Sequence, residues 1–418
     1  MSNKPRIVVV GGGPAGLAAA EYLAGAGCSV RVMERMPSLG RKFLMAGRGG
    51  LNIAHSEPHE DVLERYGPAK PWLQPALDAW TMQNIRDWMA GLGQESFIGS
   101  SGRVFPKGMK ASPLLRAWLA RLNAAGVTFQ TRASWQGWTA QDHLLFNMQD
   151  QTNGAPHQAE VEADAVLLAL GGASWPRLGS CGNWVPLLQQ RGVEVAQLEP
   201  ANCGFCTRWS ALFAERFAGT PLKPVALTFG GRRVRGEIVV TRTGVEGGAL
   251  YALSRIVRQA ITAEGQARVF CDLRPDLSEQ DILDRLRATR VRESLSNRLR
   301  KALRLPPVAV GLLRESGDMP ADLRVLAGRI KAVPLTFDAP EPLTRAISTA
   351  GGVTQAACDE SFMLRAVPGV FVAGEMLDWE APTGGYLLHA SLATGRAAAK
   401  GMVAWLQKGG ARRYPLQP

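Results

Sequence analysis

The sequence is poor in cysteine: six in 418 residues, scattered as Cys28, Cys181, Cys203, Cys206, Cys271 and Cys358. So few thiols, so widely spaced, exclude the disulfide framework of a small secreted domain, and a reducing compartment is expected. Long apolar runs are also missing. The longest, around Ala165 to Leu170 and Val370 to Ala373, fall far short of the roughly 20 residues that a membrane helix requires. A strand pattern begins at Ile7, which leaves no room for the charged, apolar and cleavage regions of a secretory signal. A soluble, cytoplasmic protein with no membrane partner is the expectation, and its oligomeric state stays open. Lysine is scarce beside arginine, which outnumbers it almost four to one within a net charge of +12. A guanidinium surplus suits phosphate and carboxylate recognition, and it also follows from GC-rich codon usage; composition leaves both open. The hydrophobic share of 46% and charged share of 20% belong to a globular chain long enough for two or three domains.

What is present concentrates first at the start of the chain. Arg6 to Val10 is a β-branched run, Pro14 to about Ala24 an alanine-rich helical stretch, and Ser29 to Glu34 a second strand. This βαβ unit opens a parallel, doubly wound α/β sheet. Between strand and helix stands Gly11-Gly12-Gly13-Pro14-Ala15-Gly16. Gly11 permits the tight turn, Gly13 lets backbone approach a pyrophosphate, and Gly16 lets the helix pack closely on the strand. Glu34, about 20 residues on, is placed to accept hydrogen bonds from ribose hydroxyls, with Arg35 beside it. The fingerprint occurs once, so one dinucleotide is held tightly and no second such domain is expected for NADH or NADPH, which remain transient electron donors.

Later segments favour FAD over NAD. Two further buried-type strands end in glycine: Asp164 to Leu170 runs into Gly171, and Gly369 to Ala373 into Gly374. Glu375 then offers a strand-end acid for a ribitol hydroxyl, and Gly384, Gly385 and Tyr386 open a helical stretch whose amides suit the pyrimidine side of a reduced flavin. Arg41 and Lys42, after the Gly40 turn, and Gly47 of the following glycine-rich loop complete the expected cofactor set. Arg41 and Lys42 meet phosphate or the flavin ring, or stand solvated. His389 and Lys42 are the candidate catalytic groups; a histidine at that place donates a proton or simply packs in a helix interface. Cys203 and Cys206 form a CxxC with no second pair, which argues against zinc and leaves a redox pair or two buried thiols. Residues 1–197 and 336–418 are expected to form the nucleotide-binding domain. Residues 198–335 are expected to be an insertion, β-rich at first and then helical and basic. Arg285, Arg287, Arg290, Arg292, Arg298, Arg300, Lys301 and Arg304 there form either a phosphate-binding face for RNA or another anionic partner, or a solvated helix face.

Six stretches carry a family resemblance over nearly the whole chain: GGGPAGLAAA at Gly11, GRKFLMAGRGGLN at Gly40 to Asn52, GRVFPKGMKAS at Gly102 to Ser112, LALGGASWPRLGSCG at Leu168 to Gly182, TAGGV at Thr349 to Val353, and VPGVFVAGEMLDWEAPTGGY at Val367 to Tyr386. With these the chain resembles the BaiN/YhiN-type FAD-dependent oxidoreductases. The resemblance implies a Rossmann-like FAD-binding domain interrupted by a β-barrel-like and a small helical inserted domain. It also implies reduction of an activated carbon–carbon double bond, in steroid-like enones or in a uracil ring of ribosomal RNA. Gly50 and Leu51 stand where that family usually has arginine and cysteine, and Leu387 and His389 replace the usual asparagine and glutamine. A proton donor at position 51 is therefore not available here.

Overall fold

In the computed structural model, residues 4–149, 154–290 and 292–412 are described. Strand β1 (Arg6–Val10) is buried from Ile7 onward, as a β-branched run covered on both faces must be. The chain then forms helix α1 (Pro14–Gly25), strand β2 (Ser29–Met33), and later β3 (Thr128–Gln130), β4 (Ala165–Leu168) and β5 (Val370–Val372). These pair in the order β5-β4-β1-β2-β3. Every pairing is parallel, with Val9 opposite both Val32 and Leu167. A parallel Rossmann-like sheet is thus the core of the nucleotide-binding part; β1, β2, β4 and β5 begin and end within two residues of the expected positions, while β3 carried no expectation.

The helix that follows β5, α2 (Tyr386–Gln407), packs on α1. Small residues make the approach close: Ala15, Gly16, Ala18, Ala19 and Ala20 are buried on α1, and Ala390, Ala393, Gly395, Ala398 and Ala399 on α2. A Cβ at Gly395 would lie 2.3 Å from the Ala15 carbonyl oxygen. Two three-stranded antiparallel sheets add to this part of the molecule. One comprises Ala133–Trp138, Leu144–Gln149 and Pro156–Val161; the other comprises Ala54–His55, Arg103–Pro106 and Ser96–Ile98.

The chain divides into two compact units, Met1–Glu199 with Ser348–Pro418, and Pro200–Ile347. The second holds a seven-stranded antiparallel sheet in the order 333–337, 267–272, 221–229, 232–240, 244–246, 205–206, 339–340. Its two outer strands, Val333–Phe337 and Ala339–Pro340, are separated in the chain by Asp338 alone, so one continuous segment supplies both edges and the sheet must curl to pair with it twice. The basic region forms helices Glu279–Arg287, Leu295–Leu303, Pro307–Glu315 and Leu323–Lys331. Arg298 spends its guanidinium inside that region, donating from Nε to Thr289 Oγ1 at 2.7 Å and from Nη2 to the Leu286 carbonyl at 3.2 Å. It closes the first of these helices. Cys203 and Cys206 are in no disulfide, and burial pushes the Cys206 thiol up. Among the described residues there is no group of metal-ligating side chains, and no helix is long and apolar enough to cross a membrane.

Replacing Gly395 by alanine should lower stability by about 1–3 kcal/mol, the usual cost of forcing a methyl group into a filled contact. Urea unfolding measures it. An unchanged midpoint would show that the crossing of α1 and α2 is looser than described.

Candidate active site

The site begins where β1 ends. Gly11 turns with φ of 109°, and a Cβ there would sit 2.2 Å from the Ala169 carbonyl oxygen. A Cβ at Gly16 would sit 2.0 Å from the Gly11 carbonyl oxygen, whereas at Gly13 nothing lies within 4 Å. The first and third glycines are thus fixed by backbone contact, and the second leaves open space. Helix α1 starts at Pro14 with no side-chain cap and no acidic residue in its first turn. Its first N–H groups are left for an anion to accept.

These atoms border a cavity of roughly 250 Å3, which Gly11, Gly13, Pro14, Ala15, Glu34, Arg35, Arg41, Lys42, Gly171 and Glu375 all line. Glu34 accepts from Gly12 N and from Met36 N, each at 2.8 Å. Burial pushes its carboxyl up from the ordinary value, and these two N–H donors oppose that shift. Lys42 Nζ donates to Glu375 Oε2 and to Ser174 Oγ, both at 2.6 Å. Glu375 also accepts from Thr349 N at 3.0 Å, and Thr349 Oγ1 accepts from Ala173 N at 2.9 Å and Ser174 N at 3.2 Å. A network drawn from four distant chain segments thus holds one ammonium at the cavity wall.

Other lining groups escaped the sequence. Trp135 enters from the strand Ala133–Trp138, which is buried at alternate residues. Ser180, Cys181 and Trp184 enter from the loop and helix after β4, and Trp184 Nε1 donates to the Gly171 carbonyl at 2.9 Å. Four buried polar atoms of lining residues, Arg35 Nε, Arg41 Nε, Trp135 Nε1 and Ser180 Oγ, have no hydrogen-bond partner. Buried polar groups are normally satisfied, so this wall fits a polar, anionic occupant such as the phosphates and ribose of a dinucleotide.

The remaining expected residues lie elsewhere. Gly16 is the third residue of α1 and packs on the Gly11 carbonyl. Gly47 abuts Ala111, and Gly374 abuts Ala15 while donating its N–H to Thr394 Oγ1 at 3.0 Å. Gly384 has φ of 138°; Gly385 presses on the backbone of Ala54, and the Tyr386 hydroxyl donates to Glu57 Oε1 at 2.7 Å. His389 is 1% exposed, with Nε2 2.6 Å from the Trp80 carbonyl oxygen, and it does not line the cavity. Its imidazole is pushed down to about 4, chiefly by burial, and its Nδ1 has no partner. Leu51 is fully buried.

The family of the HI0933-like protein Rossmann domain matches residues 5–401. The chain belongs to the HI0933-like family. It is therefore an FAD-dependent oxidoreductase with a Rossmann nucleotide-binding domain. Among curated relatives, the 3-dehydro-bile acid delta(4,6)-reductase of Clostridium scindens is 25% identical, with 94% of this chain and 98% of the relative covered. The ribosomal RNA dihydrouridine synthase of Escherichia coli is 24% identical, with 95% and 98% covered. Among solved structures, the 3-ketosteroid-delta4-(5alpha)-dehydrogenase of Rhodococcus jostii RHA1 aligns with a TM-score of 0.50 at 18% identity over 96% of this chain and 97% of that one. The 3-ketosteroid delta1-dehydrogenase of Sterolibacterium denitrificans aligns with 0.52 at 13% identity over 96% and 100%. These structures share the fold.

Two outcomes follow for this HI0933-like protein. Glu34→Ala should weaken FAD binding by roughly 1.5–3 kcal/mol, the worth of a charge-assisted hydrogen bond; titration of the apoprotein with FAD reads it, and equal affinity would remove Glu34 from the site. For His389 the folded value lies below the unfolded one, so its stability contribution is full above about pH 6.5 and is lost as pH falls towards about 4. Between pH 7 and 4.5 the parent should lose about 2–3 kcal/mol more than His389→Gln in urea unfolding. Parallel losses would show that the imidazole is not held neutral.

Proposed function

We propose that this protein reduces a carbon–carbon double bond conjugated to a carbonyl group, with NADH or NADPH as the transient electron donor. The observation that carries this reading is the Lys42 ammonium, fixed by Ser174 and Glu375 on the wall of the cavity. FAD, when bound, supplies hydride transfer from flavin N5. The chain does the rest. The bare N-terminus of α1 holds the pyrophosphate, and Glu34 accepts from the ribose. Glu375 takes a ribitol hydroxyl with its remaining acceptor capacity. Lys42 places positive charge where a reduced flavin or a developing enolate gathers negative charge, a role in which a preorganised cation needs no reorganisation. With leucine at position 51, the proton for the second carbon comes from Lys42 or from water, while His389 serves packing against Trp80.

The names of two relatives support the reaction class. A delta(4,6)-reductase and a dihydrouridine synthase both add two hydrogens across a ring double bond. A second reading, an RNA-associated flavoprotein acting on or binding ribosomal RNA, is favoured by Arg285, Arg290 and Arg292. These are exposed and form no ion pair among the described residues.

Titrated anaerobically with NADPH or NADH, the FAD-loaded protein should lose its oxidised flavin absorbance and regain it on adding a 3-oxo-4-ene steroid. Lys42→Gln should slow the recovery at least tenfold, about 1.4 kcal/mol of transition-state stabilisation. A protein that takes up no FAD sinks the proposal. Recovery only with uridine-containing RNA, with a salt slope that falls by about one unit per arginine removed from that trio, would select the second reading.

A further inference from the structure

Within the unit spanning residues 200–347, three short helices, Ala211–Phe217, Leu295–Leu303 and Pro307–Glu315, enclose a groove of about 360 Å3. Its floor is apolar. Phe213 and Phe217 meet across Gly311, where a Cβ would come within 2.8 Å of both rings. Trp209 continues the aromatic row, its centroid 4.8 Å from that of Phe213, which in turn is 5.1 Å from that of Phe217. At the mouth stands Leu212, 74% exposed, the most exposed large hydrophobic residue described. It stands beside the apolar floor, where a bound apolar group would cover it.

The rim is positive. Arg216, Arg300 and Arg314 line the groove, and none pairs with a carboxylate among the described residues. The helices starting at Leu295 and Pro307 have no acidic residue in their first turns; Ser294 caps the first by accepting from Asn297 N, and the second has no side-chain cap. Arg314 Nη2 donates to Ser296 Oγ at 2.8 Å, which sets its guanidinium against the first of these helix starts. The acid on the wall, Glu315, is already engaged: its two oxygens accept from Ser210 N at 2.8 Å and Ser210 Oγ at 2.7 Å.

We propose that this groove binds an amphipathic organic anion, with a carboxylate or phosphate on the arginine rim and an apolar body over the Phe213 and Phe217 floor. Charge complementarity selects the head group: three guanidiniums without a carboxylate partner and the uncapped start of the Pro307 helix face one opening. The volume lies in the range of small-molecule sites. Phe213 is only 3% exposed, so it is not open as a stacking platform for a nucleobase. The inference rests wholly on side chains of this one unit and is independent of the cofactor assignment.

Calorimetric titration of the FAD-saturated protein with octanoate, octyl phosphate and octanol tests it. Octanoate or octyl phosphate should bind at least tenfold more tightly than octanol, and the tighter of the two identifies the head group. The double variant Arg300→Gln, Arg314→Gln should weaken anion binding at least tenfold and leave octanol unchanged. Leu212→Asp, at an exposed position, should weaken it as well, with FAD content and thermal unfolding held at the parent's values. Octanol binding equal to octanoate, anion binding that ignores both variants, or no binding at all would each overturn the proposal. An RNA hairpin that binds through these arginines while octanoate does not would overturn it in favour of a nucleic-acid face.

Discussion

Helix α1 is wedged between backbone contacts that admit no side chain: Gly16 on the Gly11 carbonyl at one side, Gly395 of α2 on the Ala15 carbonyl at the other. Because these contacts are made by main-chain atoms, they do not relax as a flexible side chain would, and they aim the first turn of the helix at a single point. The cavity exists because that first turn is uncapped and the neighbouring Gly13 has empty space beside it. A larger residue at either contact tilts the helix away from the loops carrying Glu34 and Lys42, and the charged groups cease to converge.

Charge in the cavity is arranged by the same economy of partners. Glu34 is satisfied by two backbone N–H groups instead of a cation, which leaves Arg35 and Arg41 with unused donors at the wall. Lys42 and Glu375, by contrast, neutralise each other. The cavity wall therefore carries both guanidinium donors without partners and one ammonium balanced against one carboxylate.

The βαβ start, the strand-end glycines and the acid at Glu34 were legible in the sequence because each follows from local backbone needs: φ above zero, no Cβ, one acid at the end of a strand. Lys42 and Glu375 were legible singly, but their pairing was not, since 333 residues separate them. Trp135, Ser180 and Trp184 gave no local signal because only the tertiary arrangement turns them inward. Gly385 and Tyr386 show the reverse: their motif was visible, yet in the structure Gly385 presses on Ala54 and Tyr386 bonds to Glu57, contacts to a segment that no motif connects with them. The arginine-rich helices divide in a way composition does not show, since Arg298 is consumed in closing a helix while Arg285 and Arg290 stay exposed.

In the seven-stranded sheet of the inserted unit the first and last strands are successive pieces of one segment joined at Asp338. An open antiparallel sheet carries two edges of unpaired amides and carbonyls, each a template for aggregation; here both are brought to the same residue. Asp338 N donates to the Cys206 carbonyl at 3.3 Å, so even the hinge is pinned. One residue thus ties both edges of the sheet to the same point of the chain, so a change of chain length at Asp338 acts on both edges at once.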